Sequence, residues 1–557
     1  MPTFDELKAA AVAEWQALER GDKPHIFVGT DTSGRAAGAV EVLDAVKKTL
    51  ARLKLDAVVH ETGGYGLCYA EPIMDIVKAG APRISYNNLT PELAARIVEE
   101  YLVRDNPHPE SALAAHADQP FRGIRPMKDL DTWKCQVRIA MRNCGVIDVS
   151  NINHYIARGG YAGLNRALTQ MTPAQVLDEV KKSDLRGRGG AAFRTAQKWS
   201  FLSGGNAPIK YHACNAEEGD PGAFNDKTLL ESDPHTVLEG LAIAGYATGA
   251  RIGYVFIRCT HKEVVRRVDV AIEQAKKLGL LGENILGAKF SFDIEVAETG
   301  ESYVAGEETA LMEAIEGKRS MPRFRPPFPA QAGLWQRPTN VNNVKTYSYV
   351  PPILEKGGDW YASIGTKGSK GTALVCLTGH VKRQGLYEVP FGMTLRQVID
   401  GPGGGVPSGR PVKLLQTGGP LGGFLGASEL DLPIDFDVMA QAGAILGSGG
   451  IIVADDTTPA LKVAQLLYDF IQEESCGKCF PCRVGTHHLL MILEHILEGK
   501  AQPSDIDTMM ALGNTLTASL CGHGQLAVNP IKSAMKYFGK EIEAYVKTAK
   551  AASVGAH

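Results

Sequence analysis

Four cysteines in the last part of the sequence have the residue type and spacing to bind a metal centre. Cys476, Cys479 and Cys482 form a C-x2-C-x2-C run, and Cys521 follows further along the chain. Three closely spaced thiolates can bind three corners of a cubane [4Fe–4S] cluster, and a remote cysteine can supply the fourth thiolate. Zinc sites usually present two separated pairs of ligands. The run therefore favours a [4Fe–4S] cluster over zinc or unliganded thiols.

A glycine-rich loop is a second candidate site. Residues 187–193 read Gly-Arg-Gly-Gly-Ala-Ala-Phe, and Lys198 follows. Closely spaced glycines let backbone N–H groups approach an anionic ligand, and Arg188 and Lys198 can add positive charge. The loop matches neither the phosphate loop of nucleoside triphosphatases nor a clear dinucleotide-binding fingerprint. Taken alone, the pattern is more typical of a tight structural turn.

Two acidic segments are further candidates. Residues 215–220 read Asn-Ala-Glu-Glu-Gly-Asp and follow a predicted strand that ends at Cys214, where open α/β sheets bind ligands. Residues 306–309 read Gly-Glu-Glu-Thr and open a predicted helix, where carboxylates also complement the helix dipole. Each segment can therefore be either a ligand contact or an ordinary turn or helix start.

The composition is that of an ordinary globular protein. The 557 residues suggest three or four domains of about 150 residues each. A net charge of −3 gives no basic footprint for nucleic acid, and ten cysteines are too few for a disulfide scaffold. No apolar run reaches the roughly 18 residues of a membrane span, and the first residues lack a signal-peptide pattern. We therefore expect a protein of the reducing cytoplasm, where clustered cysteines indicate metal or redox chemistry.

Hydrophobic periodicity predicts several units of different type. Predicted strands at 210–214 and 254–258 alternate with predicted helices at 234–248 and 263–278, which indicates a parallel or mixed sheet with crossover helices. The predicted order is an N-terminal helix (1–24), a small α/β unit (25–105), a linker (106–130), a larger α/β domain (131–365), a β-rich module (366–450) and a helical bundle (455–551).

The combination of these segments resembles the NADH-binding 51 kDa-type flavoprotein subunits of respiratory complex I and the related diaphorase subunits of NAD-linked hydrogenases and formate dehydrogenases. The matching segments occur in the same order along the chain, at 187–199, 214–224, 303–311, 326–335, 338–344, 474–483 and 519–521. The resemblance implies an α/β multidomain fold. Its parts are a thioredoxin-like N-terminal domain, a Rossmann-like FMN- and NADH-binding domain, a small β-grasp (ubiquitin-like) module and a helical bundle that carries the iron–sulfur cluster.

The resemblance also implies the cofactors FMN, NAD(H) and a [4Fe–4S] cluster, and a set of residues that bind them. FMN would lie between the glycine loop and the acidic loop, and NADH would stack over the flavin. Gly187, Arg188, Gly189 and Lys198 would face the phosphate side of FMN with Asn342 and Asn343, and Asn215, Glu217 and Glu218 would lie near the ribityl chain and isoalloxazine. For NADH, Phe193, Phe201 and Phe328 would flank the adenine, and Glu308 would lie near its ribose. Asp220 and Tyr303 would line the nicotinamide side. Gly306 and Glu307 complete the set of expected cofactor-binding residues. Core packing is the alternative role for the three phenylalanines. Cys476, Cys479, Cys482 and Cys521 would ligate the cluster.

The chain departs from this family at several positions. Members commonly have Asp at the position of Glu217 and Glu at the position of Asp220. The usual Phe-Pro-Thr-Gly reads Phe-Arg-Thr-Ala at 193–196, Ala305 replaces a common cysteine, and Arg325 replaces a common lysine. These changes leave cofactor affinity, flavin potential and nucleotide preference open.

The unit at 25–105 resembles the thioredoxin-like [2Fe–2S] ferredoxins that accompany this family or are fused to it. Such a cluster needs four cysteine ligands. This unit has Cys68 only, because Gly64 stands at a position that is usually cysteine and residues 30–34 contain none. We therefore expect a docking domain without a cluster.

The function that the resemblance implies is an NADH dehydrogenase (diaphorase) type oxidoreductase subunit. Hydride would pass between NADH and FMN, and single electrons would then pass through the [4Fe–4S] cluster to partner subunits. This chemistry needs no side-chain nucleophile or general base. The expected partners are other iron–sulfur subunits of a larger complex, including a separate [2Fe–2S] thioredoxin-like subunit. We expect a cytoplasmic location, with any membrane association made through partners. The alternative is a redox-silent scaffold subunit of such a complex.

Overall fold

The N-terminal part of the protein is a helix followed by a small α/β unit, in a computed structural model that describes residues 2–205 and 207–554. Its elements are α1 (Phe4–Arg20), β1 (His25–Gly29), α2 (Thr32–Ala36), α3 (Ala39–Leu53), β2 (Val58–Thr62), β3 (Met74–Val77), β4 (Ile84–Tyr86), α4 (Pro91–Arg104) and β5 (Ala112–Ala115). α1 begins with a capping box between Thr3 and Glu6, and α4 begins with the Thr90 cap and a proline in its first turn. Both helix starts follow from local sequence.

The five strands of this unit form one mixed sheet. The strand order is β2-β1-β3-β4-β5, with β1 parallel to β2 and the remaining neighbours antiparallel. α3 connects the two parallel strands and packs against α4. This order, a βαβ unit followed by a hairpin and a helix, is a thioredoxin-like arrangement. The stretch 106–130, expected to be a linker, contains β5, because the open edge of β4 pairs with its Ala-rich segment.

The segment after β1 holds the small unit on the larger domain. The Arg267 guanidinium is 1% exposed and donates to both the carbonyl and the hydroxyl oxygen of Thr30, at 2.9 and 2.8 Å. Its other amino group donates to the Glu231 carbonyl oxygen. The Thr32 hydroxyl donates to the Glu231 carboxylate at 2.6 Å. Residues 30–34, where a ferredoxin would carry cluster ligands, therefore serve here as a docking segment.

The larger α/β domain is built on four parallel strands. Its elements are α5 (Asp131–Lys134), α6 (Ile152–Ala157), α7 (Ala162–Gln170), α8 (Pro173–Lys182), α9 (Thr195–Ser203), β6 (Tyr211–Ala216), α10 (Asn225–Ser232), α11 (Pro234–Thr248), β7 (Ile252–Arg258), α12 (Lys262–Lys277), β8 (Asp293–Thr299), α13 (Glu308–Ile315), β9 (Thr339–Asn343), α14 (Val344–Lys356) and α15 (Gly358–Ala362). The sheet order β8-β7-β6-β9 corresponds to the sequence order 3-2-1-4 of doubly wound nucleotide-binding sheets. The predicted strands and helices of this domain are present, and the sheet is parallel throughout.

The β-rich module forms a second mixed sheet. Its elements are β10 (Thr372–Gly379), β11 (Gly385–Pro390), α16 (Leu395–Asp400), β12 (Val412–Thr417), β13 (Phe424–Gly426), α17 (Phe436–Ala442) and β14 (Gly450–Asp455). The order is β11-β10-β14-β12-β13, with β10 and β14 parallel at the centre and antiparallel strands outside. Two hairpins around a central parallel pair, with a helix between them, make a β-grasp sheet.

The C-terminal part is helical. Its elements are α18 (Ala460–Glu473), α19 (Phe480–Leu497), α20 (Asp505–Leu516), α21 (Gly522–Leu526) and α22 (Asn529–Val554). The predicted apolar stripe of α19 faces the interior, with Leu489, Leu493 and Ile496 buried among the other helices. In the two described ranges, no helix combines the length and apolar character that a bilayer crossing requires.

The Arg267 contacts predict how strongly the small unit is fixed. Arg267→Met removes the charge and its donors to Thr30 and Glu231, while the Thr30 carbonyl oxygen keeps its hydrogen bond from Arg35 Nε at 2.8 Å. We expect a cost of about 2–3 kcal/mol. We expect a lower thermal unfolding midpoint and faster amide hydrogen exchange in residues 25–36. Arg266→Met is the matched control, because Arg266 is half exposed and pairs only with Glu263. Equal decreases of the unfolding midpoint in Arg267→Met and Arg266→Met would contradict the role of Arg267 in fixing the small unit.

Candidate functional site

The carboxyl ends of β6 and β9 lie side by side where the strand order reverses. β7 pairs with one edge of β6 and β9 pairs with the other. In doubly wound sheets, the crevice between two such strands is the usual ligand site. Asn215 and Asn343 are register partners at this edge, and Asn343 Nδ2 donates to the Asn215 carbonyl oxygen at 3.3 Å. The structure therefore brings these two expected site residues together.

Two further contacts attach neighbouring segments to these strand ends. Asn215 Nδ2 donates to the Gly306 carbonyl oxygen at 2.8 Å, which brings the 306–309 segment to the crevice. Trp199 Nε1 donates to Asn342 Oδ1 at 3.0 Å, which fixes α9 against β9. The side-chain oxygen of Asn342 therefore has a protein partner.

The glycine loop lies directly above Asn343. A β-carbon on Gly189 would be 3.1 Å from the Asn343 β-carbon, so only glycine allows this close approach without displacement. Gly190 has a φ of +113°, a conformation that favours glycine. Gly187 N donates to the Phe193 carbonyl oxygen at 2.7 Å and closes the loop. The loop is thus both a tight turn and a wall of the crevice, so the two interpretations of its sequence are compatible.

The Arg188 side chain makes its contacts in the protein interior. Its guanidinium donates to the Tyr361 hydroxyl at 2.9 Å and to the Lys370 carbonyl oxygen at 2.7 Å. It also lies 4.8 Å from the Phe391 ring centroid, and the residue is 4% exposed. The side chain therefore ties the glycine loop to the β-grasp module, because its bonds are made in the protein interior. Its expected contact with the phosphate side of FMN stays a prediction.

Lys198, Glu308 and Arg325 form a charged group at the entrance to α13. Lys198 Nζ donates to Glu308 Oε2 at 2.8 Å and to the Val341 carbonyl oxygen at 2.7 Å. Arg325 Nη1 donates to Glu308 Oε1 at 3.1 Å. Burial raises the pKa of Glu308, but Lys198 and Arg325 outweigh burial and hold it below its usual value. Glu308 is therefore a fixed carboxylate that can accept hydrogen bonds from a ligand hydroxyl.

The three expected aromatic contacts are exposed. Phe193, Phe201 and Phe328 have exposed fractions of 45, 54 and 54%, and the rings of Phe193 and Phe201 lie 6.3 Å apart. Core packing is thus not their role in this chain. Exposed aromatic faces near one another are suited to stacking on a flat ligand.

Two neighbouring carboxylates of the acidic loop have different partners. Glu217 accepts a hydrogen bond from Arg258 Nε. Glu218 accepts from the backbone N–H groups of Asp226 and Lys227, at 2.8 and 3.0 Å, and so stabilises the start of α10. Burial raises the pKa of both Glu217 and Glu218 to about 7, against the opposing effect of Arg258 on Glu217. The charge of both side chains therefore changes with pH near neutrality.

Two other carboxylates of the site also have structural partners. Asp220 Oδ2 accepts a hydrogen bond from the Ser448 hydroxyl at 2.6 Å. Glu307 accepts from the backbone N–H groups of Thr309 and Ala310, both at 2.9 Å, and caps α13. Glu307 thus has the helix-start role, while Glu308 beside it faces the two cations.

Arg258 is a site residue that sequence reasoning did not assign. It ends β7, beside the acidic loop that follows β6. Its Nη2 is buried without a hydrogen-bond partner, and a β-carbon on Gly219 would be 2.3 Å from that atom. An unpartnered buried donor at the ligand edge fits an acceptor atom of a bound flavin. The signal in the sequence was an arginine at the end of the predicted strand 254–258.

Tyr303 connects this site with the helical bundle. Its backbone N–H donates to Glu474 Oε2 at 2.8 Å, and its ring packs edge-on against His523 at 5.8 Å. Burial raises the pKa of the Tyr303 phenol, and nearby Asp220 and Glu217 raise it further. Tyr303 therefore lies between the acidic loop and the segments that carry the cysteines.

The four C-terminal cysteines gather at one end of the bundle. Cys479 precedes α19 and Cys521 precedes α21. Burial raises the pKa of the Cys482 thiol to about 11, with smaller contributions from Cys479, Cys521 and Cys476, so the four thiols are neighbours. Within the described part of the chain, no group of three or more His, Cys, Asp or Glu side chains is spaced to hold a single metal ion. A set of four cysteine thiols, three of them in a C-x2-C-x2-C run, fits a [4Fe–4S] cluster.

Fold and site together define a nucleotide-binding α/β domain joined to a β-grasp module and an iron–sulfur bundle. Three family models match these parts: the Nuo51 FMN-binding domain over residues 180–352, the SLBB domain over 374–425, and the NADH-ubiquinone oxidoreductase-F iron-sulfur binding region over 462–545.

Several known proteins are similar over most of this chain. The NADP-reducing hydrogenase subunit HndC of Solidesulfovibrio fructosivorans is 49% identical over 420 residues, which cover 75% of this chain and 85% of the relative. An F-type subunit of the NADH-quinone oxidoreductase of Rhizobium meliloti is 41% identical over 414 residues, which cover 73% of this chain and 97% of the relative. A crystal structure of an NAD+-reducing [NiFe]-hydrogenase in the H2-reduced state aligns with a TM-score of 0.66 at 26% identity, over 98% of this chain and 89% of that one.

The chain therefore belongs to the family of 51 kDa-type flavoprotein subunits of complex I and NAD-linked hydrogenases. It contains an FMN-binding domain and a [4Fe–4S]-binding region, as the sequence predicted.

The cysteine arrangement predicts which thiols hold iron. Cys521→Ser removes one of four ligands, so we expect loss of the cluster's broad visible absorption and of most of the roughly four iron atoms per chain after anaerobic purification. Cys259→Ser is the control, because Cys259 lies after β7 and outside the cluster region. Retention of full iron content in Cys521→Ser, or loss of iron in Cys259→Ser, would contradict the ligand assignment.

Proposed function

We propose that this chain is the NAD(H)-linked electron-transfer flavoprotein subunit of a larger redox complex. The observation that carries the proposal is the convergence of the glycine loop, the acidic loop and the 306–309 segment on the crevice between β6 and β9, with Tyr303 linking that crevice to the cysteine bundle. When bound, FMN supplies the exchange between two-electron hydride chemistry and single electrons, and the [4Fe–4S] cluster carries those electrons singly to partner subunits.

The protein's own groups hold and orient the cofactors. We infer that backbone N–H groups of the glycine loop face the FMN phosphate. Lys198 uses two of its three donors on Glu308 and Val341, which leaves one for that phosphate. Glu308 accepts from a ribose hydroxyl of NADH, and Phe193 and Phe201 stack on the adenine. Arg258 Nη2 donates to an acceptor atom of the isoalloxazine ring.

The N-terminal unit is proposed to be a docking domain without a cluster. A β-carbon on Gly64 would be 2.3 Å from Asp31 Oδ2, so a cysteine there would displace that carboxylate. Burial raises the pKa of the Cys68 thiol to about 12, with smaller contributions from Asp31 and Glu71. A thiol that stays protonated among carboxylates is a poor cluster ligand.

The proposed setting is a larger complex, and the relatives named above, which are themselves subunits, support it. We propose cytoplasmic iron–sulfur partner subunits, among them a separate [2Fe–2S] thioredoxin-like subunit, with any membrane contact made by partners. The proposed domain limits are 25–105 with β5 as an additional strand, 131–365, 366–455 and 456–551. The third unit extends past the predicted limit of 450, because β14 is a central strand of its sheet.

Reduction by NADH tests the function directly. Under anaerobic conditions, NADH added to the FMN-loaded protein should bleach the flavin absorption near the visible maximum, because the crevice presents nicotinamide to the flavin. Stopped-flow absorbance measures the rate. If the flavin stays oxidised at full FMN and iron content, the chain is a redox-silent scaffold of its complex.

The position of Glu217 predicts a pH effect on the flavin. With a pKa of about 7, Glu217 changes from mostly neutral at pH 6 to mostly negative at pH 8. A new negative charge beside the flavin disfavours its reduction, so the midpoint potential should fall more steeply with pH than in Glu217→Gln. A difference on the order of 30 mV, the equivalent of about 1.4 kcal/mol for a two-electron couple, is expected in a spectroelectrochemical titration.

An exposed carboxylate is the control for this titration. Glu301→Gln should reproduce the wild-type pH profile, because Glu301 lies at the surface after β8. Identical dependence of the midpoint potential on pH in wild type and Glu217→Gln would show that Glu217 does not lie beside the flavin.

A further inference from the structure

One turn of the β-grasp module contacts both loops that line the flavin crevice. The turn, residues 446–450, lies between α17 and β14 and reads Leu-Gly-Ser-Gly-Gly. A β-carbon on Gly190 of the glycine loop would be 3.7 Å from Gly447 Cα. The next residue, Ser448, contacts the acidic loop. Both walls of the crevice therefore meet the same turn.

Ser448 binds the acidic loop through Asp220. Its hydroxyl donates to Asp220 Oδ2 at 2.6 Å, while Asp220 Oδ1 accepts from the Gly222 N–H at 2.9 Å. Asp220 is buried, and hydrogen bonds to a carboxylate are about twice as strong as those between neutral groups. Both oxygens of this side chain are thus used inside the protein.

Asp220 packs closely against Gly419, which lies between β12 and β13 of the β-grasp module. A β-carbon on Gly419 would be 2.3 Å from Asp220 Oδ2, so only a glycine can stand there. Ser448 also accepts a hydrogen bond through its backbone: Asn225 Nδ2 donates to the Ser448 carbonyl oxygen at 2.6 Å. Residues 220 and 225 are therefore both fastened to one serine.

The two ends of the acidic loop are consequently held by different parts of the protein. Glu217 is bound by Arg258 of the parallel sheet, whereas Asp220 is bound by Ser448 of the β-grasp module. We propose that Ser448 is a positioning residue for the flavin: through Asp220 it fixes the acidic loop against the β-grasp module and so sets how long FMN stays bound. The proposal deepens the proposed function and rests on the same FMN crevice.

The test measures FMN release from the loaded full-length protein. We expect Ser448→Ala to accelerate FMN release about tenfold, which is the effect of losing one hydrogen bond to a carboxylate. The recovery of flavin fluorescence measures the release. Ser448→Thr keeps the hydroxyl group and should stay within about twofold of wild type. Iron content and cluster absorption should be unchanged in both variants, because the cysteine bundle is outside this contact.

A matched control and a double-mutant cycle separate positioning from general loosening. Ser408→Ala removes a serine hydroxyl from the same module, where it faces Asp455 at 3.4 Å at the opposite end of β14, and should leave FMN release unchanged. In an Asp220→Ala background, Ser448→Ala should add less than about twofold, since the bond is already absent. If Ser448→Ala does not yield folded protein, the comparison of Asp220→Ala with wild type tests the same bond from its other side.

The results that would overturn the proposal are specific. Wild-type FMN release in Ser448→Ala, equal acceleration in Ser408→Ala, or full additivity in the double variant would each show that Ser448 does not position the loop. NADH is absent from these measurements. Failure of NADH to bleach the flavin would therefore count against the proposed function and leave the role of Ser448 to be decided by FMN release alone.

Discussion

The order of the four parallel strands is the constraint on which the site depends. Because the chain places β7 on one side of β6 and returns to place β9 on the other, the loops after β6 and β9 begin side by side at one edge of the sheet. The crevice between them has the backbone of both strand ends at its floor. Asn215 and Asn343 meet there as register partners, and the glycine loop can approach because residue 189 has no side chain.

The remaining parts of the protein hold the walls of that crevice. Arg188 ties the glycine loop to the β-grasp module, Ser448 ties the acidic loop to the same module, and Tyr303 ties the 306–309 segment to the helical bundle. The β-grasp module thus supports the proposed flavin site, although its own sequence contains no cofactor motif. Arg267 holds the N-terminal unit against the larger α/β domain by donating hydrogen bonds to Thr30. Each connection uses a buried hydrogen bond to a charged or backbone group, which fixes one orientation of its partner.

Much of the secondary structure could be predicted because its causes are local. The limits of α11 follow from Pro234 in its first turn and Gly249 at its end, and α4 follows from its threonine cap. The parallel sheet followed from strands that alternate with helices. β5 was missed because a four-residue, alanine-rich strand has little periodicity of its own, and it forms only because β4 offers an open edge.

The sequence by itself determined the family and predicted the cluster ligands, because thiol chemistry and cysteine spacing are local properties of the chain. It could not determine which acidic side chain faces the flavin. Glu217, Glu218 and Asp220 are near neighbours in sequence, yet their partners are Arg258, the start of α10 and Ser448, which come from three other parts of the chain. Those partners are chosen by the strand order and by the docking of the β-grasp module. Only the tertiary structure therefore decided what each carboxylate does.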